Sequence, residues 1–222
     1  MIKIRCLNKS GSSLQARIIV TLKSIFDEYS IDYERLNPIS SQPWIKDIVN
    51  ADIVVLRHPA NRLISLYYSH GWTHQTDNFN KDAFELREEI RSQNLASWMT
   101  NEGVLGYTNQ VYTDIIDLKE ECIIRYEDIM DNGKGYLHLL LDKINRLDLL
   151  DALWDIYSCE FNCNVEDQSD KIYNGQSMAH RRNLDHKEYL HKLNNKQLEI
   201  IYNEMGDIIH RYNGLRNRIP KV

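Results

Sequence analysis

Long apolar runs are missing from this chain: no window approaches the roughly 18 consecutive apolar residues of a membrane-spanning helix, so stable membrane insertion is not expected. A basic excess is missing as well. The 27 Lys and Arg stand against 32 Asp and Glu, a formal net charge of -5, which disfavours nucleic acid as the main partner. A local basic pocket for a small anion is still compatible with that balance, because net charge does not say where charges sit. Cysteine is scarce, at positions 6, 122, 159 and 163. Cys6 and Cys122 fall in apolar, β-branched runs, the setting of buried thiols, and Cys159-x3-Cys163 has no second close pair to complete a zinc site. The opening MIKIRCLNKSGSS turns polar without the apolar stretch of a secretory leader, and a reducing cytoplasm is the expected compartment. Repeats and low-complexity tracts are also lacking.

What is present is ordinary soluble-protein material: 222 residues, 42% hydrophobic and 27% charged, enough for one domain over residues 1–222 with a sizeable core. Three strand-like runs stand out: Ile2 to Leu7, Asp52 to Arg57 and Cys122 to Tyr126. The last two are apolar or β-branched almost throughout, as parallel strands covered on both faces are. Helical patterns follow. Ser12 or Ser13 can cap a helix carrying Leu14, Ile18, Ile19 and Leu22, and Pro59 suits the first turn of another with Leu63, Ile64 and Tyr67. Further helices are predicted over 82–99, 134–147, 148–157 and 195–211, and the tail NGLRNRIPKV is expected to be a surface extension. Strand-helix alternation of this kind predicts an α/β three-layer sandwich around a central, mainly parallel sheet. Its ligands would bind beyond the carboxyl ends of the strands.

Two of those strand ends carry chemistry. After the first comes Asn8-Lys9-Ser10-Gly11-Ser12-Ser13: a charge on Lys9, a Gly11 that lets the backbone approach an oxyanion, hydroxyls on Ser12 and Ser13, and the amides of a helix N-terminus, the equipment for holding a phosphate. It is not a Walker A loop, in which lysine follows the final glycine. The plain alternative is a Gly-Ser turn with a solvated lysine. After the second strand comes RHPANRLISLYY, in which Arg57 can meet a phosphate with its planar fork and Ser65 lies eight residues on. A serine in such an apolar run otherwise bonds to a backbone carbonyl.

Together these runs resemble the sulfotransferases that use 3'-phosphoadenosine 5'-phosphosulfate, whose fold is similar to that of the P-loop NTPases. Lys9-Ser10-Gly11-Ser12-Ser13 matches the family's Lys-Ser-Gly-Thr-Thr loop, and Arg57, Pro59, Ser65, Tyr67 and Tyr68 match its second element. Arg125-Tyr126-Glu127-Asp128 matches a third. The resemblance spans residues 2–130. It implies that Lys9 and its loop bind the donor's 5'-phosphosulfate, that Arg57 and Ser65 bind the 3'-phosphate, and that Tyr126 reaches the adenine. Arg181 and Arg182 are the nearest candidates for a late segment closing on the 3'-phosphate, without the family's glycine. His58, Ala60 and Leu14 stand where the family commonly has Asp, Arg and Trp.

The implied reaction moves a sulfuryl group to a hydroxyl or amine acceptor, a saccharide or small metabolite, with Lys9 relieving charge on the bridging oxygen and no metal required. A hydroxyl acceptor needs a general base. No histidine lies between Leu14 and Ile53, so the candidates are Glu28, Asp32, Glu34 and Asp47, with His70 and His74 further on; His70 and Glu34 are favoured. Trp44, Trp72, Phe79, Trp98 and Tyr107 can line an acceptor pocket or serve as core. The rival expectations are a magnesium-dependent small-molecule kinase with an atypical phosphate loop, and a non-catalytic nucleotide- or protein-binding relative.

Overall fold

The computed structural model describes residues 1–25, 31–36, 44–69, 71, 81–162, 172–173, 176–177 and 187–222. The chain forms two compact units, each built from separated segments: Met1–His58, Val111–Cys163 and Arg211–Val222 in the first, Pro59–Gln110 and Asn164–His210 in the second.

The first unit is a parallel sheet flanked by helices. Its strands are β1 (Ile2–Leu7), β2 (Ile31–Leu36), β3 (Ile53–Leu56) and β4 (Ile123–Arg125), in spatial order β2-β1-β3-β4. Every pair is parallel, with Ile4 opposite Ile53, Arg5 opposite Glu34 and Val54 opposite Ile123. On one face, Ile2, Ile4 and Cys6 of β1 join Ile53 and Val55 of β3 and Ile124 of β4, the two-residue period of a strand. That face is covered by α1 (Ser12–Ile25), which contributes Leu14, Ile18, Ile19 and Leu22 at helical spacing. Helices α8 (Gly133–Lys143) and α9 (Leu150–Asn162) complete the cover. Each fully buried aliphatic side chain in such a layer contributes about 1.5–3 kcal/mol relative to exposure. Polar bonds fix how α1 meets α9: the Tyr157 hydroxyl donates to the Arg17 carbonyl at 2.9 Å and lies 2.6 Å from Thr21 Oγ1, and Arg17 pairs with Glu160 at 2.5 Å. At the head of α8, a Cβ on Gly133 would stand 2.3 Å from the Phe161 ring, so only glycine lets α8 approach α9 this closely.

β2 does not appear among the strands expected from sequence. Its burial alternates poorly because it is an edge strand, with Glu34 and Arg35 exposed, and its hydrogen bonds to β1 define it more than its apolar content does. A short helix α2 (Trp44–Val49) then leads into β3. The expected strand 122–126 is shorter, because Tyr126 already begins α7 (Tyr126–Asp131). The carboxyl tail corrects another expectation: Ile219 is part of the core and the Pro220 carbonyl accepts from Asn132 Nδ2 at 2.8 Å, so the segment is packed rather than a surface extension.

The second unit is mainly helical. It holds α3 (Pro59–Tyr68), α4 (Lys81–Arg91), α5 (Leu95–Met99), the first half of α6 (Glu102–Lys119), a short antiparallel hairpin of β5 (Ile172–Tyr173) and β6 (Gln176–Ser177), α10 (Glu188–Lys192) and most of α11 (Asn195–Gly214). The helix expected over 82–99 is broken in two, because the Asn94 side chain accepts the Ser97 amide at 2.9 Å and caps a new helix. Tyr67 anchors the packing here: its hydroxyl donates to the Gln93 carbonyl at 2.8 Å and its ring lies 5.7 Å from that of buried Trp98. Trp98 is therefore core, while Tyr107 is exposed. α6 is a long helix that the sequence reading lacks, although Leu105, Thr108, Val111, Tyr112, Ile115 and Ile116 form a regular buried stripe.

Candidate functional site

The sheet order locates the site. From β1 the chain moves to one side to form β2, then crosses back to the other side of β1 to form β3. The carboxyl ends of β1 and β3 are thus neighbours where the direction of winding reverses, the place where open α/β sheets leave a crevice. The loop containing Lys9 leaves β1 there, and Arg57 leaves β3 at the same edge.

The β1 loop is tightly wound. Lys9 and Gly11 both take left-handed backbone angles, φ 66° and 78°, and Lys9 does so at the steric cost that any side chain bears in this region. The Asn8 amide donates to the Leu36 carbonyl and the Ser10 amide to the Leu7 carbonyl, each at 3.0 Å. These two amides are therefore committed inside the fold and not available to an anion. What remains for an anion is the head of α1, whose first amides have no intrahelical acceptor. Ser10 is fully buried and its hydroxyl has no hydrogen-bond partner. The side chains of Ser12 and Ser13 lie outside the described residues, as do His70, His74, Arg181 and Arg182.

Gly11 was expected to let an oxyanion approach the backbone. The structure gives it a different neighbour: a Cβ there would meet Cε2 of Tyr126 at 2.4 Å. Glycine is required both by the positive φ and by the ring lying on it. The same ring carries the Arg57 guanidinium, 5.4 Å from its centroid. Tyr126 thus touches the β1 loop and supports the β3 arginine at once. Arg57 Nε is buried and has no hydrogen-bond partner.

The backbone around Arg57 is bound on every side within this unit. The Tyr112 hydroxyl donates to the Arg57 carbonyl at 2.5 Å. The Glu127 carboxylate accepts the His58 amide at 3.0 Å and also the Tyr212 hydroxyl, which lies 3.3 Å from the Leu56 carbonyl oxygen. Burial first, and then the Glu127 charge, hold the Tyr212 phenol well above its ordinary pKa, so it stays a donor. Arg125 is engaged elsewhere: its guanidinium grips Asp128 with two bonds of 2.8 and 2.7 Å, which raise its pKa. Within the Arg125–Asp128 run, two residues fasten the start of α7, Tyr126 faces the loop, and Glu127 fixes the turn after β3. The roles of Glu127, Tyr112 and Tyr212 were not foreseen; nothing in the sequence marks tyrosines 112 and 212 as partners of residue 57.

His58 is buried edge-on against the Tyr212 ring, with centroids 5.6 Å apart. Burial, and secondarily the Arg57 charge, lower its pKa to about 4. An unfolded chain protonates this histidine near pH 6.5, so the unfolded state takes up the proton first as pH falls. Stability is expected to be unaffected by His58 above pH 6.5, to decline between 6.5 and about 4, and to level off below. Urea unfolding at pH 6.5 and 4.5 should show a loss of about 2 kcal/mol from this group. A His58→Gln variant should lose that much less; equal losses in both proteins would remove His58 as the cause.

The remaining candidates are placed differently. Glu34 sits in the middle of the edge strand, 3.5 Å from Arg5 Nε, and Asp32 takes the same arginine at 2.8 Å. Both carboxylates are thus engaged by Arg5 and do not approach the loop. Asp47 is on α2, Glu28 lies outside the described residues, and Ser65 belongs to α3 of the other unit with a half-buried side chain. Among the described residues no three His, Cys, Asp or Glu cluster as metal ligands, and no helix is long and apolar enough to cross a membrane.

Fold and site together define a mostly helical α/β protein whose small four-stranded parallel sheet presents a lysine loop and an arginine side by side at its carboxyl edge. Compared with protein-family models, curated proteins and solved structures, the chain finds no match.

Proposed function

We propose that this protein is a sulfotransferase, binding 3'-phosphoadenosine 5'-phosphosulfate at the reversal point of the sheet and passing its sulfuryl group to a hydroxyl or amine acceptor, a saccharide or small metabolite. The observation that carries the reading is the Arg57 guanidinium. Its Nε is buried and without a hydrogen-bond partner among the described residues, and the group lies over an aromatic ring at the strand end next to the lysine loop. A buried N–H of a cation left without an acceptor is costly, and a bound anion relieves that cost.

A nucleotide with phosphates at its 3' and 5' positions presents two anionic ends, and this edge of the sheet offers two cationic ones. In this reading the 5'-phosphosulfate meets Lys9 and the head of α1, and the 3'-phosphate meets Arg57. During transfer, charge builds on the oxygen bridging sulfur and phosphorus, where a fixed lysine is most effective. The reading rests on the first unit alone; Ser65 does not enter it.

Calorimetric titration with adenosine 3',5'-bisphosphate, the product nucleotide, in the presence of a metal chelator tests it. Binding with a dissociation constant below about 100 μM is expected. The absence of binding at millimolar nucleotide would overturn the assignment. A preference for ATP with magnesium would point to the kinase instead.

A further inference from the structure

We infer that Tyr112, Glu127 and Tyr212 act together as a positioning clamp that aims Arg57 at the anion, a role that rests on the nucleotide-binding reading above. Three polar groups of the main chain flank this arginine, and each has a side chain beside it. The Leu56 carbonyl oxygen lies near the Tyr212 hydroxyl, the Arg57 carbonyl accepts from Tyr112, and the His58 amide donates to Glu127. The clamping groups come from α6, α7 and α11, so the turn is held by parts of the chain far apart in sequence. Glu127 is shared between the His58 amide and the Tyr212 hydroxyl, which links two of the contacts.

The contrast between main chain and side chain carries the inference. The three side chains hold Leu56, Arg57 and His58 by the backbone, whereas the guanidinium lies over the Tyr126 ring with an Nε that has no partner among the described residues. A turn that needed only to connect β3 to a helix would be served by local bonds. Immobilising the peptide groups on both sides of Arg57, while leaving its Nε–H uncommitted among the described residues, removes in advance part of the entropy that binding would otherwise cost.

The test uses the full chain with Tyr112→Phe, Tyr212→Phe and Glu127→Gln. Glutamine keeps an oxygen for the His58 amide and offers an amide N–H to the Tyr212 oxygen, so it is the conservative rescue. The first readout needs no ligand. The Tyr126 ring current displaces the Arg57 Nε–H resonance in proton–nitrogen spectra, and the clamp predicts that both phenylalanine variants move it towards the position of a free arginine. Glu127→Gln should leave it near the wild-type position. An unmoved resonance in both phenylalanine variants overturns the clamp, whether or not any nucleotide binds.

The second readout is the affinity for adenosine 3',5'-bisphosphate. Each phenylalanine variant should bind about tenfold more weakly, the effect of losing one buried hydrogen bond. That loss should vanish when Arg57 is already alanine. A loss that persists in the Arg57→Ala background identifies a general structural effect and overturns the clamp. Failure of the wild type to bind overturns the nucleotide reading instead, and the resonance then decides the clamp by itself.

Discussion

Replacing Arg57 with alanine is expected to weaken binding of adenosine 3',5'-bisphosphate by a hundredfold or more while leaving the unfolding temperature almost unchanged. The two halves of that expectation have different origins. Truncating one member of a buried charge pair in a complex costs about 2–5 kcal/mol, because the anion left behind remains desolvated and unpaired. In the free protein the Arg57 Nε has no hydrogen-bond partner among the described residues, and the guanidinium lies over the Tyr126 ring. Its removal forfeits a cation–π contact worth about 0.5–1 kcal/mol and relieves a desolvated Nε, so the two effects nearly cancel. Arg57→Lys keeps the charge without the planar fork and should fall between the two. A further signature comes from His58, whose pKa the Arg57 charge helps to depress. In Arg57→Ala the acid-induced loss of stability should be smaller, since the histidine then accepts its proton more readily in the folded state. Titration calorimetry together with thermal unfolding decides the matter: an Arg57→Ala protein that binds within threefold of wild type would exclude Arg57 from the site.

The second large effect is expected at Gly11. Alanine there suffers twice: a positive φ of 78° and a Cβ placed 2.4 Å from the Tyr126 ring. Strain in the left-handed region and overpacking each cost about 1–3 kcal/mol, so Gly11→Ala should destabilise the protein by about 3–4 kcal/mol. Only the second part depends on Tyr126. Adding Tyr126→Ala should therefore restore less than the full loss, and denaturant unfolding of the single and double variants separates the terms. If Gly11→Ala is as stable as wild type, the ring does not lie on the loop. The same substitution is expected to weaken nucleotide binding, because a displaced Tyr126 no longer supports Arg57.

Much of the sheet was legible because its inner strands are written in apolar, β-branched residues. β3 is buried at every position, and its run IVVL admits few other readings. β2 was not legible, since IDYERL exposes Glu34 and Arg35 and becomes a strand through pairing with β1. The break after Arg91 depended on a single capping asparagine, a local choice that an apolar stripe running through 82–99 conceals. Lys9, Arg57 and Tyr126 were singled out from sequence, and the sheet order brings the ends of their strands together. Their support was hidden. Tyr112 and Tyr212 look like helix-stripe residues, and only their hydroxyls, reaching main-chain and carboxylate oxygens, reveal another task. The surroundings of Glu34 were equally hidden: this carboxylate in a polar segment lies 3.5 Å from Arg5 Nε of the neighbouring strand.

The interleaving of the two units has a consequence for biosynthesis. Strands β1 to β3 precede the whole Pro59–Gln110 segment of the other unit, β4 follows it, and Tyr212 and Ile219 come later still. The nascent sheet, with α1 on it, must therefore wait for the part of its apolar cover that α8 and α9 supply while intervening helices are translated. Such delayed, non-local closure slows folding and exposes chains to aggregation. Chaperone dependence during synthesis, and poor tolerance of truncations before residue 219, follow directly from the way the segments are threaded.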